Sequence, residues 1–223
     1  SRKTLTLAPA ERAEIVVDLS QDTQPLRLIS ADDTNAPMSG MMGGGMMGSG
    51  ATSESFNILT LQPRADLQAT ITKLPTSLPS APMNFGAPVR TRDFTLDMHM
   101  GGMMNSMFRG VFGGSTMSIN NQGYDMGTIN QSVRLGETEL WRISASMMMH
   151  PFHVHGTSFQ VVGRNGRAVD PTIEGWKDVV LVNGSAEILV RFDQTADETA
   201  PFMYHCHILE HEDAGMMGQF TVS

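Results

Sequence analysis

The 223 residues carry 15 Lys and Arg against 23 Asp and Glu, a formal net charge of −8 that disfavours nucleic acid as a partner and suits a protein that handles cations. A single cysteine excludes an internal disulfide framework, and no apolar run is long enough to span a membrane. Few charges, 22 glycines and recurrent Val-, Thr- and Ile-rich runs point to a β-rich protein.

In chain order, alternating apolar and polar residues predict strands over 4–7, 13–19, 26–30 and 56–61. These are too few for a self-sufficient sandwich, so residues 1–63 are expected to be the last part of an incomplete domain. Residues 64–89 hold Pro75, Pro79, Pro82 and Pro88 among serines and threonines and read as an extended linker. From residue 90 the alternation returns, with strands expected at 94–98, 117–120, 133–135, 139–143, 153–162, 176–181, 187–192 and 218–222. Such a series of short strands separated by turn signals implies an all-β, Greek-key β-sandwich over residues 90–223. The 19 methionines gather at 38–47, at 98–107 and in Met147, Met148 and Met149. The first two groups are interleaved with Gly, Ser and Asn, lack helical periodicity and read as loops.

The chemistry concentrates in residues 205–217. They hold the single cysteine, three of the seven histidines and, five residues past His211, Met216. Two His, one Cys and a weak axial Met make up the ligand set of a blue-copper electron-transfer centre. On a strand, Cys206 faces one way while His205 and His207 face the other, so one peptide can touch two metal sites back to back. Gly215 permits a tight return beside them. The stretch is one His short, and His150 is the first candidate, since the Pro151 bend frees it to approach Cys206 and His211. His153 and His155 are two apart and share a face, as His205 and His207 do. Four parallel imidazoles on two neighbouring strands would form half of a polynuclear copper site.

The motifs His150-x-x-His153-x-His155 and His205-Cys206-His207-x-x-x-His211-x-x-x-x-Met216 resemble the C-terminal copper-binding motifs of multicopper oxidases. The pattern is nearest to that of the bacterial periplasmic cuprous oxidases that protect against copper. It extends through Ile119-Asn120-x-Gln122-x-Tyr124-Asp125-Met126 and Gly175-Trp176-Lys177-Asp178. The resemblance implies a cupredoxin-like fold for 90–223, preceded in 1–63 by the C-terminal strands of a second cupredoxin domain. It implies a periplasmic or otherwise exported protein with four coppers in the complete enzyme. His150, Cys206, His211 and axial Met216 would hold the type-1 copper, His153 the type-2 copper, and His155, His205 and His207 the type-3 pair. Glu212 matches a carboxylate thought to pass protons toward dioxygen. The implied reaction couples one-electron oxidations at the type-1 copper to reduction of O2 to water.

Family members use eight histidines for the trinuclear cluster, and this sequence supplies four, with His99 isolated. The sequence is therefore expected to be the C-terminal part of a longer oxidase, whose missing N-terminal cupredoxin part completes the cluster. Thioethers favour Cu(I), so the Met-rich loops suit a cuprous substrate, with Met98, Met103 and Met148 the expected contacts. Ser146 and Met103 stand where related substrate sites carry carboxylates. A laccase oxidising phenols or another small reducing substrate is the nearest variant, and a mononuclear blue-copper carrier is the reading from a different class.

Overall fold

The computed structural model describes residues 3–30, 55–64, 66–67, 71, 73, 85–98 and 117–223. Most of the two Met-rich stretches, with His99 and Met103, lies outside the described residues, as does much of the proline-rich linker. The chain forms two compact units, one of residues 13–82 and one joining residues 1–12 to 83–223. The compact units thus divide at different points from the sequence boundaries drawn at 63 and 90, with the first twelve residues belonging to the larger unit.

In the smaller unit β1 (Leu26–Ser30) and β2 (Phe56–Leu61) form an antiparallel ribbon with a bulge between Leu28 and Ile29. The strands expected at 4–7 and 13–19 are not formed. Alternation marks a segment that can line a sheet, but a strand also needs a neighbour to accept and donate its ladder hydrogen bonds. Ile15, Val16 and Val17 are exposed accordingly.

The larger unit is a sandwich of two sheets. Its strands are β3 (Arg90–Met98), β4 (Met117–Ile119), β5 (Gln131–Val133), β6 (Thr138–Ala145), β7 (His150–Val154), β8 (Phe159–Arg164), β9 (Arg167–Ala168), β10 (Trp176–Lys177), β11 (Val179–Val182), β12 (Ser185–Arg191), β13 (Phe202–Cys206) and β14 (Met217–Val222). One sheet runs β10-β8-β12-β6-β3-β4, with β9 on β8; the other runs β11-β7-β13-β14-β5. Pairing is antiparallel except for β3 with β6 and β14 with β5. Among the described residues, two short helices, α1 (Pro171–Glu174) and α2 (Leu209–Asp213), sit in the connections.

The single strand expected over 153–162 breaks into β7 and β8, which lie in different sheets. Gly156 takes φ +74° at the break, and a Cβ there would lie 2.4 Å from the Phe202 ring. The run at 176–181 likewise divides at Asp178 into β10 and β11, one in each sheet. Uniform hydrophobicity hides such corners.

Period-2 burial along β6 and β12 sends Trp141, Ile143, Ile188 and Val190 into a core shared with Phe94, Phe152, Phe159, Tyr204 and Phe220. Among the described residues, Glu139 is the one carboxylate that is fully inside. Glu139 accepts two hydrogen bonds from Arg92 (2.6 and 2.9 Å) and one from Trp141 Nε1 (2.8 Å). Arg92 continues to Gln131 Oε1 and the Ser132 carbonyl, tying β3 and β6 to β5 across the two sheets. A buried carboxylate is tolerated when its lone pairs are used in this way. Gly218 on β14 lets the Tyr204 ring lie flat against its backbone, where a Cβ would come within 2.4 Å of the ring.

Candidate metal centre

β13 runs between β7 and β14, with Tyr204 opposite Val154, His205 opposite His153 and Cys206 opposite Phe152. Residues opposite one another in register point to the same face. Cys206 therefore joins the core with Phe152, while His205 faces the other way beside His153. The chain then turns through α2 and returns as β14. That return is tied back at both ends: Cys206 N–H donates to Met216 O (3.1 Å) and Met216 N–H to His211 O (2.9 Å). The backbone of Met216 is thus bonded to two of the expected type-1 ligand residues, and its side chain is fully buried.

On the core side three donor atoms converge. His150 Nδ1 lies 3.4 Å from Cys206 Sγ, His211 Nδ1 lies 3.5 Å from it, and the two imidazole nitrogens are 3.2 Å apart. All three residues are buried. A triangle of this size has its centre about 1.9 Å from each corner, close to metal–nitrogen bond lengths of about 2.0 Å and somewhat short of metal–thiolate ones. His150 Nε2 is buried and has no hydrogen-bond partner among the described residues. Two imidazoles and a thiol in a dry setting suit copper and not hard cations such as Ca2+ or Mg2+. The residues therefore fit the group that the sequence suggests.

The electrostatics prepare these donors for a metal. Burial, reinforced by His211, pushes His150 down to about 4, and burial also lowers His211. Both rings are neutral at pH 7, with lone pairs available. Burial pushes the Cys206 thiol up to about 12, against the opposing pull of the Ile208 backbone N–H on its sulfur. A metal arriving at the trio must displace that proton.

On the outer face His153, His155 and His205 each offer one nitrogen, all within 4.8 Å of one another. His155 Nε2 and His205 Nε2 are 3.2 Å apart. His153 Nδ1 donates to the Asp178 carbonyl (2.7 Å) and His205 Nδ1 to the Cys206 carbonyl (3.1 Å), which puts the lone pair of both rings on Nε2. His207 belongs to the same ring cluster, with centroids 5.3 Å from His205 and 5.7 Å from His153, but stands outside the tight group of three. Burial lowers His155 to about 4, with its imidazole neighbours adding to the effect, and burial lowers His205 too. Glu212 Oε2 is 3.2 Å from His205 Nδ1.

Of the expected substrate methionines, Met98 is half-buried at the end of β3, opposite Met117, and Met148 is half-buried in the bend before β7. Met103 lies outside the described residues. Sequence reasoning missed the carbonyl of Asp178 and the N–H of Ile208, because backbone groups leave no signature in residue type.

A family model described as multicopper oxidase matches residues 92–223. The chain belongs to the multicopper oxidase family. Solved members of the family resemble it in structure. A bacterial laccase-like multicopper oxidase, CueO, from Ochrobactrum sp. is 39% identical with a TM-score of 0.65, covering 76% of this chain and 39% of that one. A multicopper oxidase from Campylobacter jejuni, described as a metallo-oxidase, is 27% identical with a TM-score of 0.64, covering 89% of this chain and 40% of that one. Among curated relatives, the cell division protein FtsP of Salmonella typhimurium is 32% identical over 223 residues, all of this chain and 43% of the relative. FtsP of Dickeya dadantii is 32% identical over 217 residues, 97% of this chain and 42% of the relative. The chain spans less than half the length of the curated relatives it matches. Membership accounts for the all-β, cupredoxin-like architecture and implies copper and dioxygen as the family's cofactor and co-substrate. Among the described residues, no helix is long and apolar enough to cross a membrane.

Proposed function

We propose that this chain is the C-terminal part of a multicopper oxidase that takes electrons singly from a reducing substrate, Cu(I) in our reading, and delivers them to dioxygen. Copper held by His150, Cys206 and His211, with Met216 axial, would accept the electrons; copper held by His153, His155, His205 and His207, completed by ligands from an N-terminal cupredoxin part, would reduce O2 to water. The single observation that carries this reading is the position of Cys206. Its sulfur belongs to the buried trio, and its carbonyl accepts the Nδ1 proton of His205 in the outer group. A short path of covalent bonds and one hydrogen bond therefore joins the two donor sets inside a single residue and its neighbour.

The remaining residues have separable tasks. The Cys206 and Asp178 carbonyls hold the tautomers of His205 and His153. Glu212, beside His205 Nδ1, can hold a proton bound for dioxygen and release it inward. Burial of the trio keeps water from the sulfur and keeps the imidazoles neutral. Met98, Met103 and Met148 are soft donors suited to a cuprous substrate, and a periplasmic or otherwise exported setting fits such a role in copper homeostasis. A laccase acting on phenols uses the same machinery with a different reductant.

A second reading is favoured by the likeness to FtsP, which extends over 97–100% of this chain. In it the fold serves an interaction in cell division and oxidase chemistry is dispensable. Copper content of the complete protein separates the readings: about four coppers per molecule supports the oxidase, about one a blue-copper carrier, and none the interaction role. Oxygen uptake driven by Cu(I) but not by phenols supports the cuprous substrate; uptake driven only by phenols overturns it.

A further inference from the structure

Asp178 stands between β10 and β11, and its two ends do different things. Its carbonyl accepts hydrogen bonds from His153 Nδ1 (2.7 Å) and from the Val154 N–H (3.1 Å). Its carboxylate Oδ1 is bonded by Arg12 Nη1 at 2.7 Å. The neighbouring Lys177 pairs with Glu11, so two consecutive residues of the first segment grip two consecutive residues beside the metal centre.

The first segment is also braced by its own contacts. Glu11 N–H donates to Ala8 O (2.9 Å), and the Ala8 N–H donates back to Glu11 Oε2 (3.0 Å), leaving Oε1 for Lys177. Ala10 occupies the left-handed region at φ 60°, a conformation an alanine holds only where its surroundings impose it. Arg12 Nη1 also donates to Ala10 O at 2.9 Å, so the guanidinium is fixed by its own turn as well as by Asp178.

We propose that Arg12 is a positioning residue for the outer imidazole group: by fixing Asp178 it holds the carbonyl that sets the tautomer and aim of His153, whose Nε2 is thereby presented beside His155 and His205. The role of that nitrogen as a copper ligand rests on the function proposed above; the tautomer control does not. The Arg12 side chain is 69% exposed, and surface pairs of this kind contribute little to stability, so its removal leaves the fold intact. A partner hydrogen-bonded directly to a ligand, as the Asp178 carbonyl is to His153, changes metal affinity by about 10–100-fold, and Arg12, acting through Asp178, is expected at the lower end of that range.

The test uses Arg12→Ala, Arg12→Lys and a control, Arg142→Ala, which removes another surface pair, each in the complete protein. In the metal-free form, long-range 1H–15N correlation reads the His153 tautomer. The wild type and Arg142→Ala are expected to carry the proton on Nδ1, Arg12→Ala to populate the Nε2–H form, and Arg12→Lys to recover most of the wild-type signal. In the copper-loaded form, Arg12→Ala is expected to bind the copper assigned to His153 about 10-fold more weakly, read by electron paramagnetic resonance, with the blue absorption of the trio unchanged. An unchanged tautomer in Arg12→Ala overturns the proposal, and so does loss of the blue absorption in parallel with the other signal. Should the wild type bind only one copper, the oxidase reading fails, and the metal-free tautomer measurement alone decides for or against Arg12.

Discussion

Cys206 and His205 are adjacent in sequence and face opposite sides of β13, yet the Cys206 carbonyl lies 3.1 Å from His205 Nδ1. The residue whose sulfur completes the inner donor trio therefore also fixes a ring of the outer group. Strand alternation separates the two side chains, and the backbone reconnects them.

This division predicts a selective effect for Cys206→Ser. The substitution removes the sulfur but keeps the carbonyl that orients His205. The copper-loaded variant is expected to lose its blue absorption and substrate oxidation while retaining copper on the outer histidines. Optical spectroscopy with copper analysis checks this. Loss of all copper together would show that the two donor groups are not separable in this way.

Copper uptake by the trio should release about one proton per metal ion at pH 7. His150 and His211 are already neutral there, whereas Cys206, held up to about 12, is protonated. The apparent affinity of the trio is then expected to rise about tenfold per pH unit above pH 7. Calorimetric titrations in buffers of different ionisation enthalpy count the protons. A count near zero would mean that the thiol is already ionised in the metal-free fold.

How much of this was legible beforehand depended on the kind of signal. The candidate donor residues stood out because imidazole, thiol and thioether are scarce and their spacing maps onto strand geometry; the structure gathers His150, Cys206 and His211 into one group. Strands β1 and β2 matched the expected spans because alternation and partner coincided. Residues 4–7 and 13–19 alternate as well, but pairing is a property of two segments and cannot be seen in one. The corner at Gly156 was hidden because Val154 and Phe159 continue the same apolar run in different sheets. The control exerted by Asp178 and Arg12 joins residues 166 positions apart, and nothing local to either announces it.

Gly156→Ala should be costly for two independent reasons. Its φ of +74° disfavours any Cβ, and the added atom would fall 2.4 Å from Phe202 on β13. Overpacking of this kind costs about 1–3 kcal/mol, and the strain lies next to His155. Denaturant unfolding is expected to show that loss, and copper bound by the outer histidines should weaken more than copper bound by the trio. An unshifted midpoint would show that Phe202 can move aside freely.

The metal-free protein should lose stability in mild acid. In the unfolded chain a histidine titrates near 6.5, and in the fold burial holds His150 at about 4. Between those values the unfolded chain binds a proton that the folded chain does not, so acid favours unfolding. The stability present above pH 6.5 therefore falls as the pH drops toward 4 and levels off below it, by up to about 3 kcal/mol for this group. His155 shifts in the same direction, with a smaller effect because it is partly exposed. Urea unfolding of metal-free wild type and His150→Gln at pH 7.5 and pH 4.5 makes the comparison. The wild type is expected to lose more stability than the variant between the two pH values, because glutamine cannot take up the proton. Equal losses would assign the acid sensitivity to other groups, and copper loading of the wild type should suppress it, since a metal on Nδ1 competes directly with that proton.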